Sequence, residues 1–222
     1  QTADPSTAPA ATEPANPVVF NYVLGVATSW NPTYTGSDKH KSGFSPVLSL
    51  QYGRYRLSSS RGNAVLNHGY DDRNSGASAM LIEDDRFNLS ASLRIDSGRS
   101  SSDDIRLLGL PEVRSTLLGR ISAGYVFDEH WSVNTGLSQD LLGRAGGTQL
   151  GTSLRYLFDL TPRTRIGVGV GADFANSTYM RSHFGVPASA SASSPLPAFK
   201  ASGGLYSVDM GVDVMTALSQ RW

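Results

Sequence analysis

The clearest pattern along the chain is a strict alternation of apolar and polar positions. Within residues 163–174, the even positions from Ile166 to Phe174 are all apolar, whereas the odd positions between them hold glycine and Asp173. A period of two places alternate side chains on opposite faces of a β-strand, whereas the 3.6-residue period of a helix would mix them. The pattern therefore predicts a strand at this place.

The same alternation recurs along the chain and predicts ten strands, without a sustained helical pattern between them. The predicted strands are 18–30, 44–52, 54–60, 64–70, 87–96, 116–127, 131–141, 148–158, 163–174 and 204–216. The alternation is weakest from 61 to 86, where we expect a short strand near 64–70 and then an irregular connection. In the last strand, Tyr206 is assigned to the apolar face together with Val208.

Connections between the predicted strands alternate between long and short. The long ones are 31–43, 97–115 and 175–203, and the short ones include 53–54, 128–130 and 159–162. Aromatic residues gather beside the short turns: Tyr52, Tyr55, Phe127, Trp131 and Phe158. Short turns on one side, longer loops on the other and a girdle of aromatic residues are typical of an antiparallel up-and-down transmembrane β-barrel.

The polar face of the predicted strands indicates which side faces the membrane. It holds small residues with a few Arg and Asp, whereas Lys and Glu, which suit an open watery surface, are nearly absent. A confined polar lumen fits this composition, because charges there must pair. The candidate lumen-lining residues are Arg94, Asp96, Arg120, Asp140, Arg155, Asp173, Asp209 and Asp213. They would line a solute path, or Arg120 and Arg155 would form a structural ladder with Asp140.

Composition excludes several classes of protein. The 222 residues are 17% charged, with a formal net charge of zero and no Cys, whereas a soluble domain is about 25% charged. No apolar run approaches the roughly 20 residues of a membrane-spanning helix, and zero net charge argues against nucleic-acid binding. A soluble all-β sandwich and a transmembrane β-barrel remain, and the polar face favours the barrel.

The two ends of the chain carry separate expectations. Residues 1–17 are rich in Pro and Ala, lack the basic and apolar regions of a signal peptide, and predict a disordered periplasmic leader before a barrel over 18–222. A Gln at position 1 is what removal of a signal peptide would leave, and trimming would leave the same. Residues 218–221 predict a turn before Trp222.

Candidate chemistry is sparse. The four histidines lie in separate connections, and none has metal-ligand spacing. Ser182, His183 and Asp173 could be proposed as a catalytic group at the barrel rim, but a triad is defined by geometry and not by sequence proximity. The acidic pair Asp103-Asp104 could bind a divalent ion or bridge lipopolysaccharide, although loop carboxylates are more often solvated. We assign no catalytic, metal or cofactor residue.

Two loop segments carry a distinctive set of residues: Tyr34, Gly36, Ser37 and Asp38 in the first long loop, and Tyr179, Met180, Phe184, Gly185 and Val186 in the last. These segments resemble signatures of the MipA/OmpV family of outer-membrane proteins, and the resemblance covers about residues 18–222. His183 stands where that family usually has Tyr. Residues 105–110 resemble its Leu-x-Gly-Leu loop, and residues 194–205 resemble its Gly-Leu-Pro-x-Tyr…Gly-Gly-Leu segment, with Pro195 and Phe199 as departures.

The resemblance implies a non-catalytic protein of the bacterial outer membrane without a cofactor. It implies a scaffold that brings a murein-cleaving lytic transglycosylase to a penicillin-binding murein polymerase, with outer-membrane lipid and lipopolysaccharide around it. A small solute pore and a surface adhesin or antigen are the alternatives. By the same analogy a complete barrel has twelve strands, so the chain would lack two; the rival interpretation is a ten-stranded barrel ending at Trp222.

Overall fold

The computed structural model describes residues 20–32, 38–59, 76–102 and 104–216. Ten β-strands lie in these ranges. They are β1 (Phe20–Pro32), β2 (His40–Tyr52), β3 (Tyr55–Ser58), β4 (Gly76–Glu83), β5 (Phe87–Asp96), β6 (Thr116–Val126), β7 (Trp131–Asp140), β8 (Thr148–Thr161), β9 (Thr164–Ala175) and β10 (Gly204–Thr216).

The strands form one sheet in which each strand pairs with its neighbours in the chain, in the order β1 to β10. Every pairing along this order is antiparallel. The predicted all-β class and the antiparallel up-and-down order are therefore confirmed, and nine of the ten described strands lie where the sequence predicted them. Closure of the sheet into a barrel stays a prediction.

The fourth strand corrects the sequence analysis. The predicted strand near 64–70 lies outside the described residues. The prediction of an irregular connection after it is wrong from Gly76 to Glu83, because β4 forms there. Its small residues Ala77, Ser78 and Ala79 give little contrast between the two faces, so the alternation is hard to detect. Hydrogen bonding to β3 on one side and to β5 on the other nevertheless holds this segment as a strand.

With β4 in place, the connections alternate without exception along the described sheet. Residues 53–54, 84–86, 127–130 and 162–163 make short turns at one end of the sheet. The longer connections that the structure describes, 97–102 with 104–115, 141–147 and 176–203, lie at the other end. Gly53 has a positive φ of 55° in the two-residue turn between β2 and β3, a conformation that two-residue hairpin turns favour and that glycine adopts without strain.

The burial of the sheet is the reverse of that in a soluble protein. Large apolar side chains on one face are open to the surroundings: Leu24 is 72% exposed, Val208 71% and Met210 78%. On the other face, small polar side chains such as Ser49 and Ser122 are buried. The sheet thus presents an apolar outer face and a covered polar face, which we call the wall and the inner face.

A cluster of buried apolar side chains lies in the long connections, while Val47, Leu118 and Leu157 are buried on the inner face of the sheet. Two short helices occur in the last described connection, α1 (Ser177–Phe184) and α2 (Ala188–Ser191), and a 3₁₀ turn spans Ile105–Leu107. They are too short to show helical periodicity in sequence, which is why the pattern did not reveal them. Across the described part of the chain, no helix is long and apolar enough to cross a membrane.

Candidate functional site

The long connections at one end of the sheet pack together around a small apolar core. Leu107 and Leu110 from the connection after β5 contact Val186 and Ala190 from the connection after β9, and all four side chains are buried. Gly109 has φ +83°, and a Cβ there would overlap the carbonyl of Ser193. We call the assembly of residues 97–102, 104–115, 141–147 and 176–203 the loop cap.

Hydrogen bonds to backbone carbonyls join the segments of the loop cap. Arg99 donates through Nη1 to the carbonyl of His183 at 2.7 Å and through Nη2 to that of Pro111 at 3.1 Å. Ser182 donates through its hydroxyl to the carbonyl of Ala145 at 2.8 Å. Three connections that are distant in sequence are thereby held in one arrangement.

An acidic and basic cluster links the loop cap to the first connection. Asp104 accepts hydrogen bonds from the backbone N–H and from Nε of Arg106, at 2.9 and 3.3 Å, and so caps the 3₁₀ turn. Arg106 also pairs with Asp38 at 2.5 Å. The backbone N–H of Arg106 lowers the pKa of Asp104, and the Arg106 guanidinium lowers the pKa of Asp38. Both carboxylates are therefore held in the ionised form.

Helix α1 places an aromatic cluster over the end of the inner face. Asn176 caps the helix by accepting from the N–H of Tyr179. The Tyr179 ring stacks on His183 with centroids 4.1 Å apart and lies 5.1 Å from Tyr206. Phe184 lies 6.0 Å from Tyr206. Four aromatic rings from α1 and β10 thus meet where the loop cap covers the sheet.

Burial shifts the titration of two groups in this cluster. It raises the pKa of the Tyr179 hydroxyl, and the nearby charges of Asp96 and Asp173 act in the same direction. Burial also lowers the pKa of the His183 imidazole below its ordinary value of 6.5, against the opposing effects of the Tyr179 carbonyl and Asp96. The cluster therefore favours neutral side chains, although the charges of Asp96 and Asp173 act on it through space.

Tyr206 corrects a second expectation. The alternation assigned it to the apolar face, but the pairing of β9 with β10 shifts register between Leu205 and Ser207. A β-bulge of this kind re-aims one side chain. The Tyr206 hydroxyl accordingly reaches Gln149 Oε1, at 3.4 Å, on the inner face, and exposed Leu205 takes the place on the wall.

The family-signature residues within the described ranges lie in or beside the loop cap. Asp38 pairs with Arg106, Tyr179 and Phe184 belong to the aromatic cluster, and Val186 belongs to the apolar core. Met180 lies in α1, and Gly185 ends that helix. Tyr34, Gly36 and Ser37 lie outside the described residues. The described signature residues therefore mark one assembled region, which their spacing along the chain does not reveal.

The candidate lumen-lining residues occupy two places. Arg94, Asp96 and Asp173 are half-buried strand residues whose charges act on Tyr179, close to the loop cap. Arg120 lies farther from the loop cap, in the middle of β6, where its Nη1 donates to Ser138 Oγ at 3.3 Å. Its guanidinium lies over Gly136, so a Cβ at that position would overlap it.

The remaining candidates differ in their surroundings. Asp140 is buried at the end of β7 and accepts from the Thr116 hydroxyl and from the N–H groups of Leu142 and Gly146, so it fixes the connection 141–147. Arg155 is half-buried and Asp209 is exposed. The side chain of Asp213 lies outside the described part. The Arg–Asp ladder stays a prediction.

Ser182 and His183 are adjacent, with Oγ 3.0 Å from Nδ1. Both residues nevertheless make hydrogen bonds that hold the loop cap together. The same Oγ contacts the carbonyls of Tyr179 and Ala145. Among the described residues, no carboxylate is hydrogen-bonded to the His183 ring, which the orienting acid of a triad would require. The described side chains also contain no group of three metal-ligating residues.

Sequence reasoning missed Arg99 and Arg106, which join the loops. The spacing Asp104-x-Arg106 was a usable signal, because an Asp side chain that accepts from the N–H two residues later is a common loop motif. The target of Arg99 is a backbone carbonyl 84 residues away, and no local pattern in the sequence indicates it.

The fold and the site define an all-β protein with an apolar-faced antiparallel sheet, short turns at one end and an interlocked loop cap at the other. The chain belongs to the family described as MltA-interacting protein MipA, whose pattern it matches over residues 24–222. This is a family associated with the outer membrane. The suspected resemblance is confirmed. No curated protein and no solved structure matches the chain.

Proposed function

We propose that this chain forms a non-catalytic β-barrel of the bacterial outer membrane that serves as a scaffold for murein enzymes. The partners are a murein-cleaving lytic transglycosylase of the MltA type and a penicillin-binding murein polymerase. Membership of the MipA family over nearly the whole chain carries this proposal. The surrounding medium is outer-membrane lipid and lipopolysaccharide.

The exposure of large apolar side chains on the wall supports a membrane location. Contiguous apolar patches on soluble monomers rarely exceed a few hundred Å², whereas here every long strand exposes large apolar side chains. Next to the short turns, Phe127 and Trp131 lie on the wall, 50% and 41% exposed. Aromatic rings at this level suit the boundary between hydrocarbon and water. The short turns would then face the periplasm and the loop cap the exterior.

The short turns are therefore the described surface that periplasmic enzymes would contact. In the turn 127–130, Asp128 stabilises the turn itself, because its carboxylate accepts hydrogen bonds from the N–H groups of His130 and Trp131 at 2.8 Å each. Those bonds lower the pKa of Asp128. Glu129 is exposed beside it and is the better target for mutation, since changing it leaves the turn intact.

The scaffold is tested by surface plasmon resonance with the full chain in detergent micelles and a purified MltA-type lytic transglycosylase as analyte. We expect saturable binding to the wild type that is weakened by Glu129→Lys or by removal of residues 1–17. Glu112→Lys makes the same charge change on the loop cap and should leave binding unchanged. Absence of binding to the wild type, or equal loss in both charge variants, would contradict the scaffold.

A solute pore is the second candidate, favoured by the polar inner face with its buried serines and half-buried Arg120 and Arg155. A pore predicts single-channel current in planar bilayers that Arg120→Ala or Arg155→Ala alters. The loop cap over one end of the inner face argues for low conductance. A bilayer that stays silent with the wild type and with both variants would exclude this function.

A further inference from the structure

The charged side chains of the described connections are distributed unevenly between the two ends of the sheet. The described residues of the loop cap carry two acidic side chains, Asp104 and Glu112, and six basic ones: Arg99, Arg106, Arg114, Arg144, Arg181 and Lys200. The short turns at the other end carry three basic side chains and four acidic ones. The described loop cap is therefore the cationic end of the sheet, and a field of this kind attracts anionic partners.

Two of the six basic side chains stabilise the loop cap itself. Arg106 lies between the carboxylates of Asp38 and Asp104, and Arg99 donates to backbone carbonyls of two other segments. The other four form no ion pair with any carboxylate in the described part of the chain. We call them the outer cations, and they are Arg114, Arg144, Arg181 and Lys200. Arg144 is half-buried and the other three are exposed.

Two of the outer cations lie just beyond the ends of β6 and β7. Nη1 of Arg144 donates to the carbonyl of Ser115 at 2.7 Å, and Arg114 precedes Ser115 in the chain. In the same connection as Arg144, Leu141 and Leu142 are 52% and 50% exposed. Basic side chains therefore follow directly on exposed apolar ones at this edge of the wall.

The other two outer cations repeat this arrangement in the connection after β9. Phe199 exchanges two backbone hydrogen bonds with Val186, at 2.8 and 2.9 Å, and Val186 lies just past the end of α1. The bridge holds Lys200, the neighbour of Phe199, near the helix to which Arg181 belongs. Phe199 is itself 58% exposed, so an exposed apolar side chain again adjoins a basic one.

We propose that the outer cations bind the phosphate groups of lipopolysaccharide in the outer leaflet, while its acyl chains lie against the wall. An amphiphile with phosphates at the boundary of its acyl region matches basic side chains that adjoin exposed apolar ones. Arg and Lys bind phosphate through charge-assisted hydrogen bonds. The inference rests on the proposed function, which places the loop cap at the exterior, and it names the side chains that hold the surrounding lipid.

The test is native mass spectrometry of the full chain released from detergent micelles that contain one of three lipids. The first is lipid A, the acylated and phosphorylated anchor of lipopolysaccharide, and the second is the same lipid A with both phosphates removed. The third is phosphatidylglycerol, which carries a phosphate on a diacyl lipid. We expect the wild type to retain lipid A about tenfold better than the dephosphorylated form, and better than phosphatidylglycerol. Equal retention of lipid A and either other lipid would overturn the proposal.

Charge-removing variants test which side chains recognise the phosphates. Arg114→Gln with Arg144→Gln should reduce the preference for phosphorylated lipid A several-fold. Arg181→Gln with Lys200→Gln should do the same, and it changes exposed side chains only, in case the first double variant does not fold. A preference that survives both double variants would overturn the assignment to the outer cations.

Arg54→Gln with Arg163→Gln is the matched control at the short turns. Arg54 donates to backbone carbonyls, as Arg144 does, and Arg163 is exposed, as Arg114 is. The control removes the same two charges and should leave the preference unchanged. Equal loss in the control and in the loop-cap variants would overturn a site at the loop cap.

The two proposals fail in different ways. A wild-type chain that inserts into phospholipid vesicles, but shows no preference for phosphorylated lipid A, removes the lipopolysaccharide site and leaves the outer-membrane proposal intact. A chain that stays in solution and does not insert contradicts the outer-membrane proposal itself.

Discussion

The wall and the loop cap follow opposite rules of burial within one chain. On the wall, Met210 and Val212 are exposed while Ser122 on the inner face is buried. In the loop cap, Leu107 and Leu110 are buried, and polar side chains such as Glu112 and Arg181 are exposed. The same apolar side-chain types are thus directed outward in one region and inward in the other.

The difference is what the proposed membrane location predicts for two regions that face different solvents. In water, apolar burial stabilises a fold by about 25 cal/mol per Å² of buried surface. Burial of this kind stabilises the loop cap. In a bilayer, the wall would need no buried apolar core, because hydrocarbon would surround it and neighbouring strands satisfy one another's backbone polar groups. Three substitutions, each with a matched control, would break or sharpen this comparison.

The largest effect is expected from Leu107→Ala in the loop cap. Truncation of a buried leucine leaves a cavity and should destabilise the loop cap by about 3 kcal/mol. Hydrogen exchange of the amides in 104–115 and 177–191 measures this as loss of protection. Leu150→Ala makes the same truncation at an exposed wall position and should leave the protection of these loop-cap amides unchanged. Equal loss of protection in both variants would show that burial does not distinguish the wall from the loop cap.

The next effect is expected from Leu154→Arg, near the middle of β8 on the wall. An Arg on the lipid-facing side of a membrane barrel costs about 2 kcal/mol, measurable as the free energy of folding into phospholipid vesicles. Ile105→Arg is the control, because Ile105 is 68% exposed on the loop cap; there the change should stay within about 0.5 kcal/mol. A tolerated Leu154→Arg would contradict a lipid-facing wall.

The smallest effect is a pH dependence of the loop cap from His183. Because its folded pKa is lowered below 6.5, the unfolded loop binds the proton more readily than the folded loop. The stability of the loop cap is therefore complete above about pH 6.5 and falls as the pH drops toward the lowered value. Amide exchange around α1 should accelerate in that window.

His183→Gln removes the titrating group and should flatten this pH dependence, whereas His130→Gln, in a turn at the opposite end of the sheet, should leave it. A slope that persists in the His183 variant would assign the effect to another group.

The alternation of side chains was enough to predict most strands, because each residue of a strand has only two faces on which to lie. It failed where that contrast was weak or broken. The small residues of β4 hid a strand, and the bulge at Tyr206 turned one ring to the inner face. The loop signatures indicated which residues matter, but not that Asp38 and Val186 belong to one region.

The sequence by itself determined the all-β class, nine of the ten described strands, the apolar and polar faces and the likeness to an outer-membrane family, because these depend on local periodicity and on residue type. Only the tertiary structure decided that distant connections join in one cap, that Arg99 reaches the carbonyl of His183, and that a register shift turns Tyr206 to the inner face. These features depend on strand register and on the packing of loops far apart in the chain, and neither is encoded in the neighbours of a residue.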